Sequence, residues 1–366
     1  VTAGTVVVKI GTSSLTDDNG VISVGAVCKL CREVAAVRAR DERVVIVTSG
    51  AIAAGLPALG LSGDRPTDMA TLQAISAVGQ SRLLRVYDDA LAELGLVGGQ
   101  VLLAPLDFVH RKQYLHARQT LTRLLDLGVV PVVNENDAVA DDEIRFGDND
   151  RLAALVAHLV SARLLVLLTD APGLLTADPR LDSGASLIDE IVEVDHSLEA
   201  LAGASGSVRG SGGMASKLAA AKIAAWSGVR AVIAAADRPG VLVDAVDGVA
   251  GVGTVIRPHD RRLSARKLWI AFAVGASGLV VVDDGARTAL VERRTSLLPA
   301  GVVAVEGSFD ADDAVEIAGV DGRVFAKGLV RHPATRIKEW AGRRTSTLPP
   351  DMAHEVVHRD DLVVLP

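Results

Sequence analysis

No apolar run in these 366 residues is long enough to cross a bilayer, and no basic stretch precedes the first apolar segment as a secretory signal would require. A cytoplasmic protein that does not enter the membrane is the expectation. Basic residues are in the minority too: 38 Lys and Arg against 45 Asp and Glu give a formal net charge of −7. A protein whose main work was gripping nucleic-acid phosphates would carry a dominant basic surface, so that class is disfavoured. Only two cysteines occur, at Cys28-Lys29-Leu30-Cys31, and no second pair exists to complete a zinc site. Val24, Val27, Cys31 and Val34 fall on one helical face, which reads as packing rather than a redox centre. Tandem repeats and low-complexity tracts are lacking as well.

Core-forming material is plentiful, since hydrophobic residues make up 49% of the chain. Short apolar strands alternate with helical patterns from residue 5 to about 235, which predicts an α/β fold, an open sheet with helices on both faces. Strands are predicted over 5–10, 44–48, 101–103, 129–133, 164–168 and 232–235, and helices over 68–94, 114–127, 151–160 and 215–227. Gly128 and Gly228 stand where C-terminal caps belong. Past residue 254 the pattern changes at the polar, turn-prone run Arg257-Pro258-His259-Asp260-Arg261-Arg262. The division is therefore a first domain over 1–258, a linker over 259–274 and a small, mostly β module over 275–362. Within that module the strands are predicted over 279–282, 302–305, 314–317, 324–328 and 355–358, with one helix around 286–293.

Open α/β sheets bind ligands beyond the carboxyl ends of their strands, so the residues just after each strand matter most. The first strand ends in Lys9-Ile10-Gly11-Thr12, the second leads into Thr48-Ser49-Gly50-Ala51, the fourth into Asn134-Glu135-Asn136-Asp137 and the fifth into Thr169-Asp170. Phe146-Gly147-Asp148-Asn149-Asp150 adds a polar turn before a helix. Late in the domain, Gly210-Ser211-Gly212-Gly213-Met214-Ala215-Ser216 delivers Lys217 at the start of another. Glycine loops let backbone N–H groups approach phosphate oxygens, a helix N-terminus adds a favourable dipole, and each lysine brings a full positive charge. Two such devices in one domain suggest phosphoryl transfer. The glycine run formally matches the dinucleotide fingerprint but has no strand before it, and Ser216-Lys217-Leu218 excludes a P-loop. Taken alone, it could be a flexible connection. His110, His116, His158 and His196 lack spaced partners, and Asp148-Asn149-Asp150 lacks the glycine and terminal glutamate of a calcium loop, so no protein-built metal site is predicted.

Seven segments, VVVKIGTSSLT, VIVTSGAIAAG, AVGQSRL, VVNENDAVA, EIRFGDNDRL, LLTDAPGLLTADPR and GSGGMASK, occur in one order ahead of a module that looks like a PUA domain. With them the chain resembles the amino-acid kinase family over nearly its whole length, and within it the glutamate kinases that carry a PUA domain. The resemblance implies a three-layer amino-acid-kinase sheet. It implies transfer of the ATP γ-phosphoryl group to the side-chain carboxylate of L-glutamate, the first step of proline synthesis, with proline as feedback inhibitor and a homo-oligomer as the working form. Lys9 and Lys217 would neutralise the transferring phosphoryl group, with Asp150 orienting both. Ser49, Asp137 and Asn149, supported by Asn134, would hold the amino acid, while Gly11, Gly50 and Ala51 offer backbone N–H groups to the reacting oxygens. Thr169, Asp170, Ser211, Gly212, Gly213, Met214, Ala215 and Ser216 would join Lys9, Gly11 and Lys217 around the nucleotide, and Mg²⁺ would be bound mainly through the ATP phosphates.

Plainer readings stand beside these. Asp150 could cap the helix that follows it, and the Asn and Asp residues could simply build turns. Acetylglutamate kinase and aspartokinase are rivals within the same fold. A protein that chiefly binds RNA through its C-terminal module is a rival from another class. Arg293-Arg294 and Arg343-Arg344 invite that idea, but the module carries slightly more acidic than basic residues, so a solvated face is favoured over RNA.

The chemistry agrees with the resemblance on separate grounds. A glutamate side chain, with a pKa near ~4.3, is already ionised at neutral pH and needs no general base. Charge is the obstacle: a carboxylate about 4 Å from a phosphate oxygen costs roughly 4 kcal/mol per pair of unit charges at an effective dielectric of about 20. Catalysis then amounts to positioning plus cations that offset this repulsion.

Overall fold

All six residues of the first strand are buried, the lysine included, as befits a strand covered on both faces of a parallel sheet. The computed structural model describes residues 4–17, 19–61, 66–108, 110–139, 149–178, 180–182, 184–204, 213–260, 262–349 and 354–365. These fall into two units, divided between Arg262 and Leu263.

In the first unit β1 (Thr5–Ile10), β2 (Arg43–Val47), β3 (Gly98–Leu103), β4 (Val130–Glu135), β5 (Leu164–Thr169), β6 (Glu190–Ile191), β7 (Arg230–Ala235) and β8 (Thr254–Ile256) form one sheet. Their order is β3-β4-β2-β1-β5-β7-β8-β6, and every pairing is parallel except β7 with β8. The helices are α1 (Thr12–Leu15), α2 (Val24–Arg38), α3 (Ala51–Gly55), α4 (Met69–Ala92), α5 (Arg111–Asp126), α6 (Asn149–Leu159), α7 (His196–Ala204), α8 (Met214–Trp226) and α9 (Val241–Asp247). From β1 the chain builds outward through β2 on one side and resumes at β5 on the other. The carboxyl end of β1 is thus a topological switch point, where open sheets bind ligands.

Alternation along β1 decides what faces that point. Val6, Val8 and Ile10 join a core with α2, α4 and α9 through Val27, Cys31, Leu83, Tyr87 and Val241. Lys9 has the opposite parity and faces the other layer, where α6 and α8 pack. Those helices lie close to the sheet because small residues line them: Ala153, Ala154, Ala157, Ala220, Ala221 and Ala224 are fully buried. The three-layer arrangement expected from the sequence is present.

Cys31 is part of the core, and burial pushes its thiol up to about 12. Val24, placed on the same face from the sequence, is exposed at the first residue of α2. Gly128 and Gly228 take left-handed φ values of 79° and 73° just past α5 and α8, as caps should. α5 starts at Arg111 rather than 114, and β6 and β8 are not expected from the sequence; at two and three residues they carry too little periodicity to see.

The second unit holds a five-stranded sheet of β9 (Gly278–Val282), β10 (Val302–Gly307), β11 (Ala314–Gly319), β12 (Val324–Val330) and β13 (Val357–Val364), in the order β10-β9-β11-β12-β13. Its helices are α10 (Ala265–Leu268), α11 (Asp284–Val291) and α12 (Ala334–Trp340). This unit departs from the sequence reading in three places. The last strand runs over Val357–Val364 instead of 355–358, because Arg359 and Asp360, turn-like by composition, are simply its solvent-facing residues. α12 is absent from the sequence expectation, yet it buries Ala334, Ile337 and Trp340 at helical spacing. The stretch expected to be a linker is helical over 265–273, and its Ile270 and Ala271 cluster with Ala314, Leu329 and Val363 of the second sheet. Among the described residues no helix is long and apolar enough to cross a membrane.

Candidate active site

Strand register gathers the loop residues. Lys9 stands opposite Val47 of β2 and Leu167 of β5, and Val47 stands opposite Val133 of β4. Thr48-Ser49-Gly50, Thr169-Asp170 and Asn134-Glu135 therefore emerge along one edge of the sheet, beside the end of β1.

The Lys9 side chain reaches the first turn of α6, where its ammonium lies 2.6 Å from Oδ1 of Asp150. The other oxygen of that carboxylate accepts from Lys217 Nζ of α8 at 3.3 Å and from Ser216 Oγ at 3.1 Å. Lys9, Asp150 and Lys217 are only 3%, 1% and 4% exposed, so two cations and one anion share a nearly dry site. Within the trio two ammonium groups share one carboxylate, which leaves the local charge balance positive. Such a centre suits an incoming anion. Burial alone would push the Asp150 carboxyl up, but Lys9 and Lys217, with the Ser216 hydrogen bond, hold it below the ordinary carboxylate range. Burial draws the Lys217 ammonium below the ordinary lysine range and the Lys9 charge adds to this, against the pull of Asp150. Asp170 lies close enough for its charge to support the Lys217 ammonium, and it accepts from Thr169 Oγ1 at 2.9 Å. At Gly11 an added Cβ would come within 3.3 Å of Lys9 Nζ, so glycine keeps that flank of the ammonium clear.

A second cluster adjoins the first through Asn149, the neighbour of Asp150. Asn149 Nδ2 donates to Ser49 Oγ at 3.0 Å, while Asn149 Oδ1 is buried with no hydrogen-bond partner among the described residues. Beyond β4, Asp137 accepts from Ser76 Oγ of α4 at 2.6 Å, and Asn134 Nδ2 donates to Gln80 Oε1 of the same helix at 3.1 Å. Burial raises the Asp137 carboxyl, with the Ser76 hydrogen bond opposing the shift. Gly50 adopts φ +101°, which turns the chain from β2 into α3. α3 and α4 then touch backbone to backbone: a Cβ at Gly79 would fall 1.7 Å from the Ala51 carbonyl oxygen, and one at Gly55 would fall 2.1 Å from that of Ile75.

The sequence pattern of the amino acid kinase family matches residues 4–235, and that of the PUA domain matches residues 278–348. The chain belongs to the amino acid kinase family. Its similarity to members of that family extends well past the kinase domain. It is 47% identical to a glutamate 5-kinase of Mycobacterium avium over 365 residues, covering 100% of this chain and 98% of the relative. It is 43% identical to one of Pelobacter propionicus over 364 residues, covering 98% and 97%. Among solved structures, the T. acidophilum isopentenyl phosphate kinase product complex matches with a TM-score of 0.50 at 21% identity, over 69% of this chain and 99% of that one. Carbamate kinase from Giardia lamblia bound to AMP-PNP matches with a TM-score of 0.50 at 16% identity, over 70% and 99%. These two structures bear on the fold alone. As a member of the amino acid kinase family with full-length curated kinase relatives, the protein is a kinase.

Of the residues singled out from the sequence, the structure brings Lys9, Gly11, Asp150, Ser216 and Lys217 into one group and joins Asn149 and Ser49 to it. Asn134 and Asp137 are tied to α4, Thr169 and Asp170 adjoin Lys217, and Gly50 and Ala51 form the turn against Gly79. Asp150 lies inside the first turn of α6 rather than ahead of it, and lysine and serine side chains take up its oxygens. Met214 opens α8, Ala215 is exposed, and a Cβ at Gly213 would meet nothing among the described residues. Gly210, Ser211, Gly212 and residues 146–148 lie outside the described residues.

Sequence reasoning missed Ser76, Gln80 and Tyr87, the last of which shares a 2.9 Å hydrogen bond with Thr48 Oγ1 beneath Ser49. A signal existed. Ser76, Gln80, Leu83 and Tyr87 recur at i, i+4, i+7 and i+11, so the buried stripe of α4 carries polar groups that must have partners.

Proposed function

We propose that this kinase transfers the γ-phosphoryl group of ATP to the side-chain carboxylate of L-glutamate, giving γ-L-glutamyl 5-phosphate and ADP. The observation that carries the reading is the meeting of Lys9 and Lys217 on the single carboxylate of Asp150. A glutamate oxygen attacks the γ-phosphorus, the bond to the β,γ-bridging oxygen breaks, and its electron pair leaves with ADP. No proton moves. Lys9 and Lys217 supply positive charge on the transferring group in a dry setting, where it counts most, and Asp150 keeps the two ammonium groups from separating.

Around the amino acid, Asp137 pairs with the ammonium group. Ser49, having accepted from Asn149, still has its proton to donate to the α-carboxylate. An N-acetylated amine carries no charge to meet the Asp137 carboxylate, which favours the free amino acid over N-acetylglutamate. Thr169, Asp170, Met214 and Ala215 belong to the nucleotide side. Mg²⁺ would be carried on ATP and held through its phosphates, whose charge it would shield. We place this reaction at the head of proline synthesis in the cytoplasm, with proline as its inhibitor; unchanged glutamate turnover at saturating proline would contradict the inhibition.

Trapping the acyl phosphate with hydroxylamine tests the reading. With ATP and Mg²⁺, L-glutamate should give the hydroxamate, while N-acetylglutamate and aspartate should give little. Turnover confined to either of the latter two overturns it.

A further inference from the structure

Ser76 is a polar residue on the buried stripe of α4, fully shielded from solvent among Ile75, Gly79, Leu83 and Tyr87. Helical serines commonly turn back to the carbonyl of the preceding turn. This one instead donates to Oδ2 of Asp137, at 2.6 Å. One turn further along, Gln80 accepts from Asn134 Nδ2 and donates to the Glu135 carbonyl, both at 3.1 Å. α4 therefore grips the segment from β4 to Asp137 through two of its residues, at the Asn134 side chain, the Glu135 carbonyl and the Asp137 carboxylate. The same helix abuts Ala51 through Gly79, so one rigid element sets the Gly50-Ala51 turn and the Asp137 carboxylate relative to each other.

We propose that Ser76 is a positioning residue for the amino-acid substrate: by occupying Oδ2 it fixes the Asp137 carboxylate so that Oδ1 is presented to the substrate ammonium. This rests on the assignment of Asp137 to that ammonium. Ser76 acts through Asp137 and touches neither glutamate nor ATP. Removing the hydroxyl leaves a buried carboxylate with one anchor fewer, free to rotate away from the ligand. The loss falls on glutamate binding rather than on the phosphoryl-transfer step.

Steady-state kinetics on the full chain separate this from a merely structural hydroxyl. Ser76→Ala should raise KM for L-glutamate about tenfold or more while kcat and KM for ATP stay within about twofold. Ser76→Cys, close in size with a weaker donor, should fall in between. In an Asp137→Ala background, Ser76→Ala should change KM for glutamate by less than about twofold, because the route it acts through is gone. An unchanged glutamate KM in folded Ser76→Ala, an equal rise in KM for ATP, or a full effect persisting without Asp137 would each overturn the proposal. If Ser76→Ala does not fold, Ser76→Cys alone and in the Asp137→Ala background makes the same comparison. A wild-type glutamate KM in Asp137→Ala would mark the failure as that of the ammonium assignment, and the role of Ser76 would fall with it.

Discussion

Lys9 and Lys217, from opposite ends of the kinase domain, meet on the two oxygens of one carboxylate, at 2.6 Å and 3.3 Å. Each ammonium raises the cost of the other, and Asp150 is what makes their proximity tolerable. The arrangement stores positive charge where a triphosphate can use it, and the same arithmetic predicts what happens when any one member is removed.

Asp150→Ala leaves two like charges buried without their counter-ion. Breaking a buried ion pair from one side costs roughly 3–5 kcal/mol. The variant should melt at a lower temperature than wild type and regain part of the loss with Mg-ATP, whose phosphates can stand in for the missing carboxylate. Its kcat should fall about 100-fold or more, as for loss of a group that sets transition-state electrostatics. Melting curves with and without nucleotide check the first point and initial rates the second; an unshifted melt would mean that Asp150 is not what holds the two charges.

Lys217→Ala should lower kcat about 100- to 1,000-fold, the range seen when one donor to a developing anion is removed. KM for glutamate should change by less than about threefold, since the proposed amino-acid contacts are Ser49, Asp137 and Asn149 rather than Lys217. A variant with normal kcat and a raised glutamate KM would reverse the assignment.

The pH profile follows from the Lys217 environment. Burial, with the neighbouring Lys9 charge, places its ammonium below the ordinary lysine range in the free enzyme. As pH rises through that lowered value the cation is lost, so kcat/KM for ATP should fall on an alkaline limb that starts below the ordinary lysine range. Bound triphosphate favours the ammonium, so the limb in kcat should lie at higher pH than the limb in kcat/KM. Persistence of the same kcat/KM limb in Lys217→Ala would assign it to a different group.

Gly79→Ala tests how α4 supports the site. The added methyl group would sit 1.7 Å from the Ala51 carbonyl oxygen, which is backbone and cannot yield without moving α3. Overpacking of this kind costs about 1–3 kcal/mol. Because the displaced element begins at Gly50-Ala51, KM for glutamate should rise alongside the loss of stability. A stable variant with wild-type kinetics would show that the turn is set by something else.

Much of this is legible in the sequence. The central strands announce themselves because a strand buried on both faces needs an unbroken apolar run, such as Val6-Val7-Val8 or Leu164-Leu165-Val166-Leu167-Leu168, and a polar residue interrupting that run, as Lys9 does, singles out the end of the strand as a candidate site. The short strands β6 and β8 have no such run. Which loops converge cannot be read from spacing, because strand order places β5 beside β1 although β2, β3 and β4 come between them in the chain. Helix faces hide the rest. Ser76 and Gln80 sit in a helix whose apolar stripe is sufficient reason for its existence, and only the structure shows that the stripe's polar members hold Asn134 at the end of β4 and Asp137 just after it.

The central claim is that both lysines serve one phosphoryl group, and a crystal structure with a non-hydrolysable ATP analogue, Mg²⁺ and L-glutamate measures it directly. Lys9 Nζ and Lys217 Nζ should both lie within hydrogen-bonding distance, about 2.7–3.2 Å, of γ-phosphate oxygens, with the glutamate side-chain carboxylate facing the phosphorus. A γ-phosphate contacted by only one of the two, or bound away from Asp150, would contradict that claim.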